Sequence, residues 1–151
     1  MQPEPGPIDP SRTLLLVTGA HLRAEACDRP LAYALKAEAQ RRLGRLAAAP
    51  KTPRLLVCSD LWRINSDELA QTPTISLGGP GVNAWAAHLA EQLPTAFAVD
   101  DRLVIQMDPD MGSLLVSLWG MDHASTVEAL TIFTQRYLDE YLEAVFTRCF
   151  L

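Results

Sequence analysis

The chain has 151 residues, of which 48% are hydrophobic and 21% are charged, a composition typical of one globular domain with a single core. Its formal net charge of −5 at pH 7 disfavours a nucleic-acid partner, because proteins that bind phosphate backbones concentrate basic residues on one face. No apolar run reaches the roughly eighteen residues that a membrane-spanning helix needs, so we expect no membrane partner.

The N-terminus and the cysteines bear on where the protein works. Residues 1–12 hold four prolines and predict a flexible lead-in, whereas residues 13–151 are expected to form a single α/β domain. The lead-in has neither the basic start nor the apolar stretch of a signal peptide. The three cysteines include no Cys-x-x-Cys pair, which favours reduced thiols and disfavours structural zinc. We therefore predict a cytoplasmic protein without a metal site.

The chain begins with a strand, a helix and a second strand. Residues 13–17 and 54–58 are short, continuous apolar runs, typical of strands that are buried on both faces. A polar segment follows the first run and ends at Arg29. Pro30 suits the first turn of a helix, where its missing N–H costs nothing, and Pro50 ends the helical pattern.

A third strand and two further helices are predicted in the middle of the chain. Asn65 and Glu68 have the spacing of a capping box, which predicts a short helix near them. Thr74–Leu77 is the third strand. The segment after Gly81 has helical spacing of apolar residues as far as about Leu93.

The last third of the chain predicts a hairpin, a further strand and a long helix. Residues 96–99 and 103–107 are apolar runs separated by three polar residues, as in an antiparallel hairpin. Residues 114–118 form the next strand. A capping box that begins at Ser125 opens a helix that reaches about Phe146.

This order predicts a three-layer, Rossmann-like α/β sandwich with a mixed, mostly parallel sheet and antiparallel hairpin strands late in the chain. Ligands of such sheets bind beyond the carboxyl ends of the strands. Polar or glycine residues follow the strands in four segments, namely residues 18–21, 59–62, 78–83 and 120–123. We expect these segments to meet at one edge of the sheet and to form a cleft.

The glycine-rich loop over residues 78–83 is the most informative of the four segments. Gly78, Gly79 and Gly81 remove side chains, so that backbone N–H groups are free to face a ligand. The loop is neither a P-loop nor a Gly-x-Gly-x-x-Gly fingerprint. Two interpretations remain open: contact with an anion or nucleotide, in which Asn83 also binds the ligand, and a close-packed turn in which Asn83 caps the next helix.

The polar segment after the first strand is longer than the two to six residues that are usual in such connections. His21, Arg23 and Arg29 are candidate ligand-binding residues, since an arginine can hold a carboxylate or phosphate with two hydrogen bonds. Glu25 or Asp28 is placed to act on a hydroxyl group. The alternative is an extra helical turn in which Asp28 is only a helix cap.

Three further candidates follow the second and the last strand. Asp60 and His123 are candidates for an acid–base pair, with His21 as the other possible partner of His123. Trp62 is a candidate to stack on a ring of the ligand, and Asp122 to bind it. The alternative is that Asp122 caps the last helix and that His123 is a loop residue.

Two segments within residues 74–129 resemble the α/β modules of archaeal S-layer-type proteins. The first has the order strand-Gly-Gly-Pro-x-x-Asn-helix, and the second matches a Gly-x-Asp-x-x-x-Thr-x-x-Ala pattern at Gly120, Asp122, Thr126 and Ala129. The resemblance implies a shared Rossmann-like module. It implies no catalytic residue, cofactor or partner for this chain.

Three hypotheses about function follow. The first is a domain that binds a small anionic or nucleotide-like ligand at the glycine loop. The second is a small hydrolase or transferase that acts on a nucleotide or sugar, with its acid or base among Glu25, Asp60 and His123. The sequence does not identify a cofactor under either hypothesis.

The third hypothesis is a structural module that assembles as a homodimer through its C-terminal helix. Four aromatic residues would form the dimer surface, namely Tyr137, Tyr141, Phe146 and Phe150.

Overall fold

The computed structural model describes residues 8–46 and 52–151. The strands are β1 (Thr13–Thr18), β2 (Arg54–Ser59), β3 (Thr74–Leu77), β4 (Thr95–Val99), β5 (Leu103–Met107) and β6 (Leu115–Gly120). The α-helices are α1 (Arg29–Leu46), α2 (Asp60–Ile64), α3 (Ala84–Ala90), α4 (His123–Arg136) and α5 (Leu138–Phe150). A π-helix (Ala24–Asp28) precedes α1, and 3-10 turns span Pro10–Arg12 and Asp67–Leu69.

The strands form one mixed sheet in the order β2-β1-β3-β6-β5-β4. The four strands β2, β1, β3 and β6 are parallel, β5 pairs antiparallel with β6, and β4 pairs antiparallel with β5. The predicted α/β sandwich with late hairpin strands is therefore confirmed. The chain moves outward from β1 to β2 and then crosses back to β3, so the strand order reverses between β1 and β3. Such a reversal opens a crevice at the carboxyl edge of the sheet.

The residues of β1 show why the sheet has helices on both faces. Leu14 and Leu16 belong to the hydrophobic cluster beneath α1, α4 and α5. Leu15 and Val17, which point to the opposite face, pack with residues of α3. All four side chains are fully buried. A continuous apolar run is what a strand between two helix layers requires, which explains why the sequence pattern located it.

The C-terminal helix differs from the prediction because it is broken at Tyr137. This residue leaves the helical region of the backbone, at φ −125° and ψ −22°, and separates α4 from α5. The break turns α5 so that the hydroxyl of Tyr141 donates a hydrogen bond to the carbonyl of Leu114 at 2.9 Å. Tyr141 is fully buried and cannot contribute to a dimer surface, and the side chains of Tyr137, Phe146 and Phe150 are half-buried.

The structure decides two capping predictions. Asp122 caps α4, as the alternative interpretation of this residue expected, in place of the capping box at Ser125, and its carboxylate accepts the backbone N–H of Ser125 at 2.8 Å. The short helix predicted from Asn65 is a single 3-10 turn that no side chain caps. A Ser-x-x-Glu or Asn-x-x-Glu spacing is common by chance, and the cap goes to the residue whose backbone is extended.

Residues 1–7 of the predicted lead-in lie outside the described part of the chain, whereas residues 8–12 contact the domain. Ile8 packs against the α3 side of the core, and Asp9 caps the 3-10 turn by accepting the backbone N–H of Ser11 at 3.0 Å. The guanidinium of Arg12 lies 5.4 Å from the centre of the Phe150 ring. Residues 8–12 are therefore part of the packed domain.

Candidate functional site

A cavity of about 290 Å³ lies at the carboxyl edge of the sheet, at the reversal between β1 and β3. Three segments line it: Arg23, Cys27 and Asp28 before α1; residues 78–82 after β3; and residues 119–123 with Thr126 around the start of α4. We call it the Asp28 cleft. Its volume is at the lower end of the range for small-molecule sites, about 300–1,000 Å³.

The π-helix sets the position of Asp28 in this cleft. The backbone N–H of Arg29 donates to the carbonyl of Ala24, five residues earlier, which widens the turn by one residue relative to an α-helix. Single π-turns are rare among helices as a whole, and those that occur frequently lie at functional sites. The polar segment is therefore largely helical, as the alternative interpretation expected, but Asp28, the last residue of the π-helix, lines the cleft and caps no helix.

Asp28 is a buried carboxylate that the fold does not use. Its side chain is 7% exposed and forms no hydrogen bond or ion pair within residues 8–46 and 52–151. Burial raises the pKa of the Asp28 carboxyl, and the nearby charges of His123 and Arg23 oppose the rise. Burying an acid without a hydrogen-bond donor costs folding free energy. A buried acid of this kind that lines a cleft is therefore a candidate functional group.

Gly78 brings the backbone close to Asp28. Its φ of +104° is a conformation that favours glycine, and a Cβ at this position would lie 2.5 Å from a carboxylate oxygen of Asp28. The N–H of Gly78 donates to the carbonyl of Leu118 at 3.0 Å, which ties the loop to β6. The glycine is therefore required both for the turn and for the space that Asp28 occupies.

The rest of the glycine loop is a tight turn with two free amides. The N–H groups of Val82 and Asn83 donate to the carbonyl of Gly79 at 3.1 and 3.0 Å. The N–H groups of Gly79 and Gly81 find no acceptor in the described part of the chain. Both residues line the cleft, where these donors can meet an anion.

Asn83 serves the fold and lies outside the cleft lining. Its side-chain oxygen accepts the N–H of Ala86 at 3.1 Å, and its amide nitrogen donates to Ser76 Oγ and to the carbonyl of Leu77, each at 2.9 Å. The residue is 1% exposed. Of the two interpretations of this residue, the structure therefore shows the helix cap.

The start of α4 forms the third wall of the cleft. Asp122 is exposed and caps the helix, and its hydrogen bond from the N–H of Ser125 holds the pKa of its carboxyl below the usual value. His123 is the first residue of α4; it is exposed and lines the cleft. The Asp122 carboxylate lines the cleft at this helix N-terminus and offsets its partial positive charge, so His123 is the group on this wall that can meet an anion.

Trp119 forms an apolar part of the cleft and was not among the site residues predicted from the sequence. Its ring packs on Gly79, where a Cβ would lie 3.5 Å from the nearest ring carbon. The indole N–H is buried and has no acceptor within residues 8–46 and 52–151. The position of Trp119 just before Gly120, at the carboxyl end of a predicted strand, is the sequence signal that pointed to the cleft.

Four other predicted site residues lie away from the cleft lining. Glu25 pairs with Arg29 at 3.5 Å on the outer face of the helix. His21 is exposed, and its Nδ1 accepts the N–H of Arg23 at 3.3 Å. Trp62 is 38% exposed on α2. Glu25, Arg29 and His21 belong to the same segment as the lining residues Arg23, Cys27 and Asp28, whereas the segment of Trp62 contributes no lining residue.

Asp60 joins three segments of backbone. One carboxylate oxygen accepts the N–H groups of Ala20 and Leu61, at 3.1 and 2.8 Å, and the other accepts the N–H of Ala84 at 2.7 Å. The residue is 5% exposed and does not line the cleft. Its carboxylate holds the β1 connection, α2 and α3 together, which leaves it no free oxygen to pair with His123.

In residues 8–46 and 52–151, no group of three His, Cys, Asp or Glu side chains could hold a metal ion. Within the same ranges, none of the helices has the length and apolar character to cross a membrane. No family model matches the chain, and no curated protein matches it. The resemblance to archaeal S-layer-type modules stays a prediction.

Asp28→Asn is expected to stabilise the protein at neutral pH. The pKa of Asp28 is raised in the folded state, so the folded protein binds the carboxyl proton more tightly than the unfolded chain does. The wild type therefore loses stability as the pH rises from the pKa of the unfolded state through the pKa of the folded state. The variant should gain about 1 kcal/mol at pH 7 and none below about pH 3.5. Urea unfolding at both pH values measures the difference. The exposed Asp100→Asn is the control, and an equal effect of the two substitutions would contradict the assignment.

Proposed function

We propose that the protein binds a small anionic or nucleotide-like ligand in the Asp28 cleft. The single observation that carries the proposal is the buried, unpartnered carboxylate of Asp28 in a cavity at the topological reversal of the sheet. Position alone is weak evidence, because every open α/β sheet has such an edge. A polar group that the fold leaves without a partner is what a ligand would complete.

Three positive features on the cleft walls support an anion. Arg23 and His123 line the cleft from opposite segments, and their charges reach Asp28. The N–H groups of Gly79 and Gly81, which have no acceptor in the described part of the chain, add two backbone donors. These donors lie in the same cleft as the carboxylates of Asp28 and Asp122, so the cleft offers partners both to an anion and to a hydrogen-bond donor.

The apolar wall and the size support a small molecule with a ring or short chain. Trp119, Val82 and Met121 line the cleft beside the polar groups. Met121 is 70% exposed at its rim. A cavity of about 290 Å³ holds a small metabolite and excludes a folded partner. We also propose a cytoplasmic location, supported by the three free thiols.

Isothermal titration calorimetry with inorganic phosphate and with adenosine monophosphate tests this function. We expect Arg23→Gln to weaken binding of both about tenfold, because a charge-assisted hydrogen bond is worth about 1.5 kcal/mol, and His123→Gln to weaken it in the same direction. Arg45→Gln, at an exposed site on α1, and His88→Gln, on α3, are matched controls that should bind like the wild type. The proposal fails if neither compound binds at millimolar concentration, or if the control variants weaken binding as much as the cleft variants.

A further inference from the structure

Groups of opposite character line the Asp28 cleft. The guanidinium of Arg23, the imidazole of His123 and the amides of Gly79 and Gly81 suit an anion. Asp28 lies among them, although a bare anion such as phosphate would not need this carboxylate and is repelled by it when it is ionised. An anion site alone does not account for the carboxylate.

The fold itself does not account for the carboxylate either. Asp28 caps no helix, because the π-helix continues directly into α1. It forms no ion pair within the described ranges, although Arg23 and His123 are near enough to affect it. The other titratable groups on the cleft walls are Cys27 and Asp122, and Asp122 is committed to the α4 cap.

The backbone makes room for the carboxylate at a conformational cost. Gly78 has positive φ, and any side chain there would strike the Asp28 oxygen that a Cβ would approach to 2.5 Å. The carboxylate oxygen is thereby held at the wall of the cavity. Asp28 as a whole residue is 7% exposed, and it is one of the residues that line the cavity. It can accept a hydrogen bond only from something inside the cleft.

From this arrangement we infer that the ligand of the Asp28 cleft combines an anionic group with a hydroxyl or amino group, and that Asp28 accepts a hydrogen bond from the latter. Asp28 is then the residue that determines specificity, whereas Arg23, His123 and the loop amides hold the anion. The inference rests on the proposed function and adds the class of ligand: a hydroxylated or aminated phosphate or carboxylate of small size, with the apolar part of the molecule against Trp119.

A matched set of phosphate esters tests the inference by calorimetry. Glycerol 3-phosphate and n-propyl phosphate have the same carbon chain and differ in two hydroxyl groups, and 3-aminopropyl phosphate replaces these with one amino group. Wild-type protein should bind glycerol 3-phosphate or 3-aminopropyl phosphate at least tenfold more tightly than n-propyl phosphate, since hydrogen bonds to a charged acceptor are the strong ones. If glycerol 3-phosphate binds more tightly, a hydroxyl group is the hydrogen-bond partner of Asp28. If 3-aminopropyl phosphate binds more tightly, the partner is an amino group.

The Asp28→Asn variant separates this inference from the proposed function. The tenfold preference should fall to less than threefold in the variant, while the affinity for inorganic phosphate should rise, because a negative charge has left the cleft. A wild type that binds the three esters equally, or a variant that keeps the preference, overturns the inference while phosphate binding still stands. Failure of every phosphate to bind overturns the proposed function itself. Circular dichroism of both proteins confirms that each is folded.

Discussion

Gly19→Ala is expected to destabilise the protein by about 3 kcal/mol or more, the largest effect of any single methyl group that we predict. A Cβ on Gly19 would collide with the backbone carbonyl group of Val82. The distance from this Cβ to the carbonyl carbon of Val82 would be only 2.9 Å. Flexible side chains can move aside, but this contact is with backbone. The peptide of Val82 is fixed, because its own N–H bonds to Gly79 and the next residue, Asn83, is anchored to β3.

Urea unfolding of Gly19→Ala and Gly44→Ala measures this effect against a matched control. Gly44 is exposed in α1, and a Cβ there would meet nothing within 4 Å. Alanine in a helix is favoured over glycine by about 0.5–1 kcal/mol, so the control should be stabilised. A Gly19→Ala protein as stable as the wild type would show that the β1 connection does not pack against the glycine loop, and the Asp28 cleft would lose its geometry.

Asp60→Ala is expected to cost about 3 kcal/mol of folding free energy. The substitution leaves the N–H groups of Ala20, Leu61 and Ala84 without an acceptor, and all three belong to different segments. Asp60→Asn should cost less, because it keeps one acceptor oxygen. Ala84 begins α3, so the loss of Asp60 also loosens the helix that follows the glycine loop.

Denaturation of Asp60→Ala beside Asp67→Ala checks this assignment. Asp67 is exposed at the start of a 3-10 turn, and its loss should change stability by less than about 0.5 kcal/mol. If Asp60→Ala is as stable as the control but loses ligand turnover or binding, Asp60 is a functional residue, as one hypothesis from the sequence proposed, and not the structural link described above.

The sequence predicted the sheet well because its strands are chemically simple. Thr74–Leu77 and Leu103–Met107 have the predicted bounds, since each is a short run of mostly apolar or β-branched residues bounded by turn residues. Two irregularities escaped prediction. The break at Tyr137 and the π-helix over Ala24–Asp28 each add or misplace a single residue within a helical pattern, and hydrophobic spacing tolerates that change.

The site was predicted at the level of segments and less well at the level of side chains. The glycine loop, the connection after β1 and the segment around Gly120 do line one cleft, as the parallel topology requires. Asp60 and Trp62 follow β2 and were expected there, but α2 begins directly at Asp60 and turns its carboxylate toward backbone amides. The direction of a side chain at a strand end depends on the first helical turn, which sequence spacing does not determine.

The central claim is that a small anion binds where the glycine loop meets the start of α4. Nitrogen-15 heteronuclear NMR of the labelled protein, titrated with glycerol 3-phosphate, tests it most directly because it locates the ligand without assuming an activity. The account predicts saturable shifts that are largest at the amides of Gly79, Gly81 and His123. Shifts that are largest elsewhere, for example at the shallow groove between α1 and α4 near Glu38 and Leu130, or no shifts at millimolar concentration, would contradict it.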